Sequence, residues 1–204
     1  MLEVHELAAR RGTNRLFSGL SFAVVPGEAL VITGANGTGK TTLLRTLAGL
    51  STPEAGEIRW AGRSVRPLDA ELRAATAFAG HHPALKDELS TEENLASLCA
   101  LAGEYTTPEA IRAALDAVAL TRQRTLPARV LSQGQRRRIG LARLTLSRRR
   151  LWLLDEPVTA LDAAGIALLA QMLAAHLSRD GLAVAATHAP LDLPAARMRA
   201  LTLS

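Results

Sequence analysis

The sequence predicts an α/β fold, a parallel-sheet core interrupted by a helical insertion, and three observations predict it. Strand-like segments gather at both ends of the chain, while residues 85–147 are largely helical in pattern. Between a strand-like run and a helical run lies Gly34-Ala35-Asn36-Gly37-Thr38-Gly39-Lys40-Thr41-Thr42, which fits GxxxxGK(S/T) at every fixed position. A second apolar run, Leu151-Trp152-Leu153-Leu154, ends in the carboxylates Asp155 and Glu156.

The elements follow in order. Residues 2–8 and 16–25 read as strands, the second with alternating apolar and small residues over Leu20–Val24. Pro26-Gly27 turns into the buried strand Ala29–Thr33, and a helix follows the glycine-rich stretch over Thr42–Ala48. A loop runs from Gly49 to Gly56, then Glu57–Trp60 enters a hairpin at Ala61-Gly62, and Ala75–Ala79 is a short strand. Ser90-Thr91-Glu92-Glu93 is a capping box that opens a helix to about residue 102, and Thr107-Pro108 opens another to about residue 118. Ser132 starts a third helix. Ala163–Ser178 is an apolar helix, and Leu182–Thr187 and Met198–Leu203 are strands. No repeat or low-complexity linker appears. The expectation is one domain over 1–204, with a core of 1–84 and 148–204 and a helical subdomain of 85–147.

Composition narrows the function classes. A chain of 204 residues buries a substantial core as a single domain. No apolar run approaches the roughly 18 residues of a membrane span, and Met1–Glu6 does not read as a signal peptide. Cys99 is the single cysteine, which excludes an internal disulfide framework and fits a reducing cytoplasm. It lies in the apolar stretch Leu95–Leu101 and reads as a small core residue. The net charge of +5 comes almost entirely from arginine, since Lys40 and Lys86 are the only lysines. Seven arginines fall between Arg136 and Arg150, but the six aromatics are not interleaved with them as a base-stacking surface needs. A solvated helix face accounts for that basic run better than nucleic acid does.

The glycine-rich stretch carries the first chemistry. A loop wrapped around a triphosphate turns backbone N–H groups inward and brings the chain close to its ligand, which glycine does without a Cβ clash. The helix behind it aims unpaired N–H groups and a partial positive charge at the phosphates. Lys40 would reach the β- and γ-phosphates, and Thr41 would ligate Mg²⁺. A nucleoside triphosphate and Mg²⁺ are therefore the expected ligands. A buried strand ending in Asp155 places a second Mg²⁺ ligand beside that loop, and Glu156 is positioned to orient and deprotonate an attacking water.

Leu131-Ser132-Gln133-Gly134-Gln135 ahead of a basic helix resembles the LSGGQ signature of the ATP-binding cassette (ABC) ATPases, with Gln133 in place of the first glycine. Pro26-Gly27-Glu28, the D-loop-like Thr159-Ala160-Leu161-Asp162 and the switch-like Thr187-His188 agree in order and spacing, so the resemblance spans essentially the whole chain. It implies a P-loop NTPase fold of ABC type, with a RecA-like parallel-sheet core, an antiparallel β subdomain and a helical subdomain. It further implies a head-to-tail homodimer that sandwiches two ATP molecules. In that arrangement the signature residues Ser132, Gln133, Gly134 and Gln135 act on the other copy's site, where Ser132 and Gly134 meet the γ-phosphate held by Lys40. His188 then stabilises the transition state and Asp162 links the two sites. Two positions depart from the family. Arg11 falls closest to the missing aromatic that stacks on adenine. His81, in Ala79-Gly80-His81-His82-Pro83, stands at or one residue from the usual glutamine.

The segment Gly80–Leu95, together with Leu151–Asp162, resembles the CcmA subfamily, ATP-binding subunits of the bacterial cytochrome c maturation (haem exporter) complex. That likeness implies a CcmB-like membrane subunit, other cytochrome c maturation proteins as partners, and a peripheral location on the cytoplasmic face of the inner membrane. Adjacent histidines on a loop do not readily ligate one iron, so haem ligation by His81-His82 is the weaker reading. A cassette for another substrate, a soluble cassette acting on ribosomes or nucleic acid, and a P-loop kinase or GTPase are the competing classes.

Overall fold

A computed structural model describes residues 1–189, 191 and 193–203. The chain divides into two compact units, one of Met1–Phe78, Arg149–Pro157 and Leu173–Ser204, the other of Ala79–Arg148 and Val158–Met172.

The first unit opens with strands Leu2–Arg11 (β1) and Asn14–Val24 (β2), an antiparallel hairpin turning at Gly12-Thr13. The hairpin extends β1 three residues beyond the pattern-based end, because Arg10 and Arg11 pair with Arg15 and Asn14 although their side chains are exposed. Next come Ala29–Thr33 (β3), the helix Lys40–Leu47 (α1), and strands Ala55–Trp60 (β4) and Arg63–Val65 (β5). A short helix, Ala70–Ala75 (α2), was not evident in the sequence pattern; Asp69 caps it by accepting from the N–H groups of Glu71 and Leu72. Strand Thr76–Ala79 (β6) follows.

In the second unit are helices Thr91–Leu101 (α3), Pro108–Ala117 (α4) and Gln133–Leu146 (α5). The capping box at Ser90 and Glu93 is closed, and the Ser90 N–H holds the Glu93 carboxyl below its ordinary pKa. Thr107 caps α4, with Pro108 in its first turn. Leu95, Cys99, Leu115, Val118, Leu120 and Ile139 are fully buried in this unit. Burial, reinforced by the Glu104 carboxylate, pushes the Cys99 thiol up to about 11, so it stays protonated as a core group. Asn94 is buried and pins residues 86–90, accepting from the Lys86 N–H and donating to the carbonyls of Lys86, Leu89 and Ser90.

The chain closes with Leu151–Asp155 (β7), Ala163–Leu177 (α6), Leu182–Ala186 (β8) and Met198–Thr202 (β9). Helix α6 belongs to the second unit up to Met172 and to the first from Leu173.

Two sheets result. The antiparallel one runs β2-β1-β4-β5; the other runs β6-β7-β8-β3-β9, with β7, β8, β3 and β9 parallel. Strands β7 and β8 are buried at every residue, as strands covered on both faces are, which explains their unbroken apolar runs. Leu2, Val4, Leu7 and Phe17 of the antiparallel sheet share one core with Leu43, Leu44 and Leu47 of α1 and with Leu153 and Val184.

Candidate active site

Strand β3 ends at Thr33, and residues 34–39 form the loop that leads into α1. The loop's root is fixed by close approach. Gly34 has φ +141°, and a Cβ there would stand 2.4 Å from the carbonyl oxygen of Leu203. Only glycine fits. At the other end Gly39 precedes α1 with no side-chain cap, leaving the first N–H groups of the helix open to an anion. Leu16 packs against Gly39, where a Cβ would lie 2.9 Å away. Nothing in the sequence had marked Leu16. Lys40 is 8% exposed, and its ammonium donates to the carbonyls of Gly34 at 2.7 Å and Ala35 at 3.0 Å, so the charge lies across the loop. Thr38 closes the turn by donating to Ala35 O. Thr42 is the second residue of α1; its carbonyl accepts from the Thr46 hydroxyl.

The expected partner of the loop is in place. The Thr41 hydroxyl lies 3.1 and 3.0 Å from the two carboxylate oxygens of Asp155, which is 3% exposed at the end of β7. A hydroxyl and a carboxylate are hard oxygen donors of the kind a small divalent cation takes. Among the described residues no group of three or more His, Cys, Asp or Glu gathers into a metal cage. A cation held at this pair would therefore draw further oxygens from phosphates, which is how Mg²⁺ is ordinarily bound.

Glu156 adopts φ +48°, left-handed backbone for a residue with a side chain, and its N–H donates to Ala186 O at 2.8 Å. Its Oε1 lies 3.5 Å from Nε2 of His188. The same Nε2 is 3.0 Å from Asn36 Oδ1, so with that oxygen as acceptor the imidazole carries its proton on Nε2. The first unit thus brings together the loop, Asp155, Glu156 and His188. The contact between His188 and Asn36 had no sequence signal. Arg11 is exposed at the hairpin end of β1, opposite Asn14 in register.

The second unit carries the other candidates. Ser132 caps α5, accepting from the Gln135 N–H, while the Gln135 side chain accepts from the Ser132 N–H. Gln133 is exposed. A Cβ on Gly134 would lie 2.8 Å from Ala160 O, so this glycine is needed for close backbone approach to the segment before Asp162. Asp162 accepts from the Gly165 N–H at 2.9 Å and from Arg138 at 2.6 Å, which hold its carboxyl below its ordinary pKa. His81 is exposed, its ring edge-on to that of His82 at 4.4 Å.

The basic run is not uniformly the solvated face that its composition suggested. Arg137 is 6% exposed and donates to two backbone carbonyls. The signal was readable: Arg137, Leu141 and Leu144 share one helical face, and all three are buried.

Comparison with known proteins agrees with this architecture. The ABC transporter family profile matches residues 17–159. The cytochrome c biogenesis ATP-binding export protein CcmA of Pseudomonas aeruginosa is 49% identical over 193 residues, covering 95% of each chain. The chain belongs to the ABC transporter family, in its CcmA group. It is accordingly an ATP-binding protein and an ATPase, with hydrolysis coupled to transport. Two solved structures of this family share the fold. A Pyrococcus furiosus protein of the ABC transporter class superposes with a TM-score of 0.84 at 24% identity, covering 99% of this chain and 96% of its own. A dimeric ATP-binding cassette in a post-hydrolysis state, bound to ADP and Pi, superposes with a TM-score of 0.78 at 22% identity, covering 93% and 88%. No helix among the described residues is long and apolar enough to cross a membrane.

Proposed function

We propose that this ABC ATPase is the ATP-hydrolysing subunit of a cytochrome c biogenesis export complex, working as a homodimer on a separate CcmB-like membrane subunit at the cytoplasmic face of the bacterial inner membrane. The observation that carries the pathway is the 49% identity to a CcmA protein over 95% of both chains. The observation that supports the chemistry is the Thr41 hydroxyl set across both oxygens of buried Asp155, with Glu156 and His188 in the same unit.

The roles of individual residues follow from their chemistry. The loop 34–39 and the open start of α1 hold the phosphates, and the Lys40 ammonium is a compact charge set among them. Thr41 and Asp155 are the residues that would hold Mg²⁺, which when bound neutralises charge on the phosphate oxygens. Glu156 takes the proton of the attacking water, and His188 donates from Nε2 toward the γ-phosphate. Ser132, Gln133, Gly134 and Gln135 reach the nucleotide of the second copy, and Asp162 spans the dimer interface. Arg11 lies against the adenine, and His81 takes the place of the family's glutamine. The first unit is the nucleotide-holding part and the second the helical, signature-bearing part. Loss of the γ-phosphate bridge reopens the dimer, and the membrane subunit follows that two-state motion.

Affinity purification of the tagged chain from membranes, with mass spectrometry and a haem absorbance spectrum, tests the reading. A small polytopic membrane protein and cytochrome maturation proteins should be recovered with it. Recovery with ribosomes or nucleic acid, and no membrane protein, overturns the pathway and leaves the ATPase.

A further inference from the structure

Three consecutive arginines leave α5 about 100° apart around the helix, so each reaches a different neighbour within the second unit. Arg136 pairs with Asp87 at 2.7 Å, and Arg138 pairs with Asp162 at 2.6 Å; both are ion pairs between side chains with exposed partners. Arg137 also holds main chain. Its Nη1 donates to the backbone carbonyls of Gly80 at 2.7 Å and His81 at 2.8 Å, and only 6% of the residue is exposed.

A guanidinium is charged at every working pH, and burying it is tolerated only where oxygens replace its lost water. Packing alone does not account for arginine at this position. An apolar residue would continue the buried stripe of Leu141 and Leu144 without desolvating a charge. What arginine adds is a grip on two successive main-chain carbonyls. Such a grip fixes the backbone at 80–81 against α5 whatever side chain residue 81 carries. It therefore works with histidine at or beside the position where the family uses glutamine.

The other end of this linkage is the signature turn. Ser132, the cap of α5, precedes Arg137 by about one and a half turns of helix. The capping box between Ser132 and Gln135 is closed in both directions, so the cap and the first turn move as part of the helix. A displacement of 80–81 is thus delivered to Ser132 and Gly134 through one rigid element.

We propose that Arg137 is a positioning residue for ATP hydrolysis: its backbone clamp locks segment 80–81 to the signature turn, so that the two move as one piece. This rests on the reading of Ser132 and Gly134 as contacts to the nucleotide of a second copy. Arg137 acts through the backbone of 80–81 and through α5.

The test compares the full-length wild type, purified from membranes, with Arg137→Met and Arg137→Lys. ATP turnover is read against ATP concentration, and backbone amide hydrogen exchange is read peptide by peptide. Arg137→Met should lower kcat at least tenfold and leave KM for ATP within twofold. Exchange should rise together at 80–83 and 132–136, with 34–42 unchanged. Arg137→Lys, whose ammonium offers several donors but no planar fork, should recover part of kcat and part of the protection. The proposal is overturned by a kcat within twofold of wild type, by a loss matched in KM or in folded fraction, or by exchange that rises at 80–83 alone. Should Arg137→Met not fold, Arg137→Lys decides by the same two readouts. Ser132→Arg, measured in parallel, separates the layers. If it turns over at the wild-type rate, the nucleotide role of the signature turn fails and the positioning role falls with it. If it is inactive while Arg137→Met is normal, only the positioning role fails.

Discussion

Glu156 holds left-handed backbone, a conformation that costs a residue with a side chain roughly 1–3 kcal/mol. The N–H bond to Ala186 O anchors the turn, and the turn sets the carboxylate 3.5 Å from His188 Nε2. Replacing the carboxylate by an amide keeps the shape and removes the proton acceptor. Glu156→Gln should therefore retain ATP binding and lower kcat by about 10²-fold or more, read by nucleotide binding and phosphate release. A Gln variant with wild-type turnover would remove Glu156 from the base role. Gly134 makes a steric prediction. A methyl group at 2.8 Å from Ala160 O forces backbone apart, so Gly134→Ala should destabilise the protein by about 1–3 kcal/mol in chemical denaturation. These residues were legible because each stands in a short motif beside a strand or helix terminus. Asn36 was read as a phosphate-loop residue that binds nucleotide, but not as one that meets His188 across 152 positions of sequence. No local pattern encodes such a meeting.

At the scale of elements, an imidazole ties the last turns of α6 to the parallel sheet. His176 stacks on Trp152 of β7 with ring centroids 3.9 Å apart, and its Nε2 lies 3.1 Å from the carbonyls of Arg150 and Leu182. Burial holds its pKa below the usual 6.5. The sign follows from linkage: the unfolded chain takes up this proton more readily than the folded one. Stability supported by neutral His176 is present above pH 6.5 and declines as pH falls below it. Between pH 7 and 5 the melting temperature of His176→Phe, which keeps the stacking and cannot titrate, should fall less steeply than that of the wild type. Equal slopes would exclude His176 as the titrating group. The capped helices α3, α4 and α5 were readable from Ser90, Thr107 and Ser132, whose side chains make the cap bonds expected of them. Helix α2 was missed because six residues after Asp69 leave too short a span for a periodic signal. Strand β1 was read short because its last two residues, Arg10 and Arg11, are exposed and have no apolar alternation.

At the scale of the whole molecule, the fold class was legible from the order of strand-like and helical segments, but strand order was not. Strand β3 pairs with β8 and β9 rather than with any sequence neighbour, a crossover arrangement that alternation along the chain does not specify. If each nucleotide bridges two copies, assembly depends on nucleotide alone. Glu156→Gln should elute from gel filtration as a dimer in ATP and as a monomer without it, and Lys40→Ala should remain monomeric in both. A Glu156→Gln protein that stays monomeric in saturating ATP would count against the sandwich.

The approach of Gly34 to Leu203 also orders events during synthesis. The ribosome makes the phosphate loop well before it makes the carbonyl against which Gly34 is seated, and before the strand Met198–Thr202 that flanks Ala29–Thr33. A nascent chain carries the loop's residues long before it carries the loop's shape. Nucleotide capture is thereby deferred until Leu203 has been made and Gly34 is seated against it.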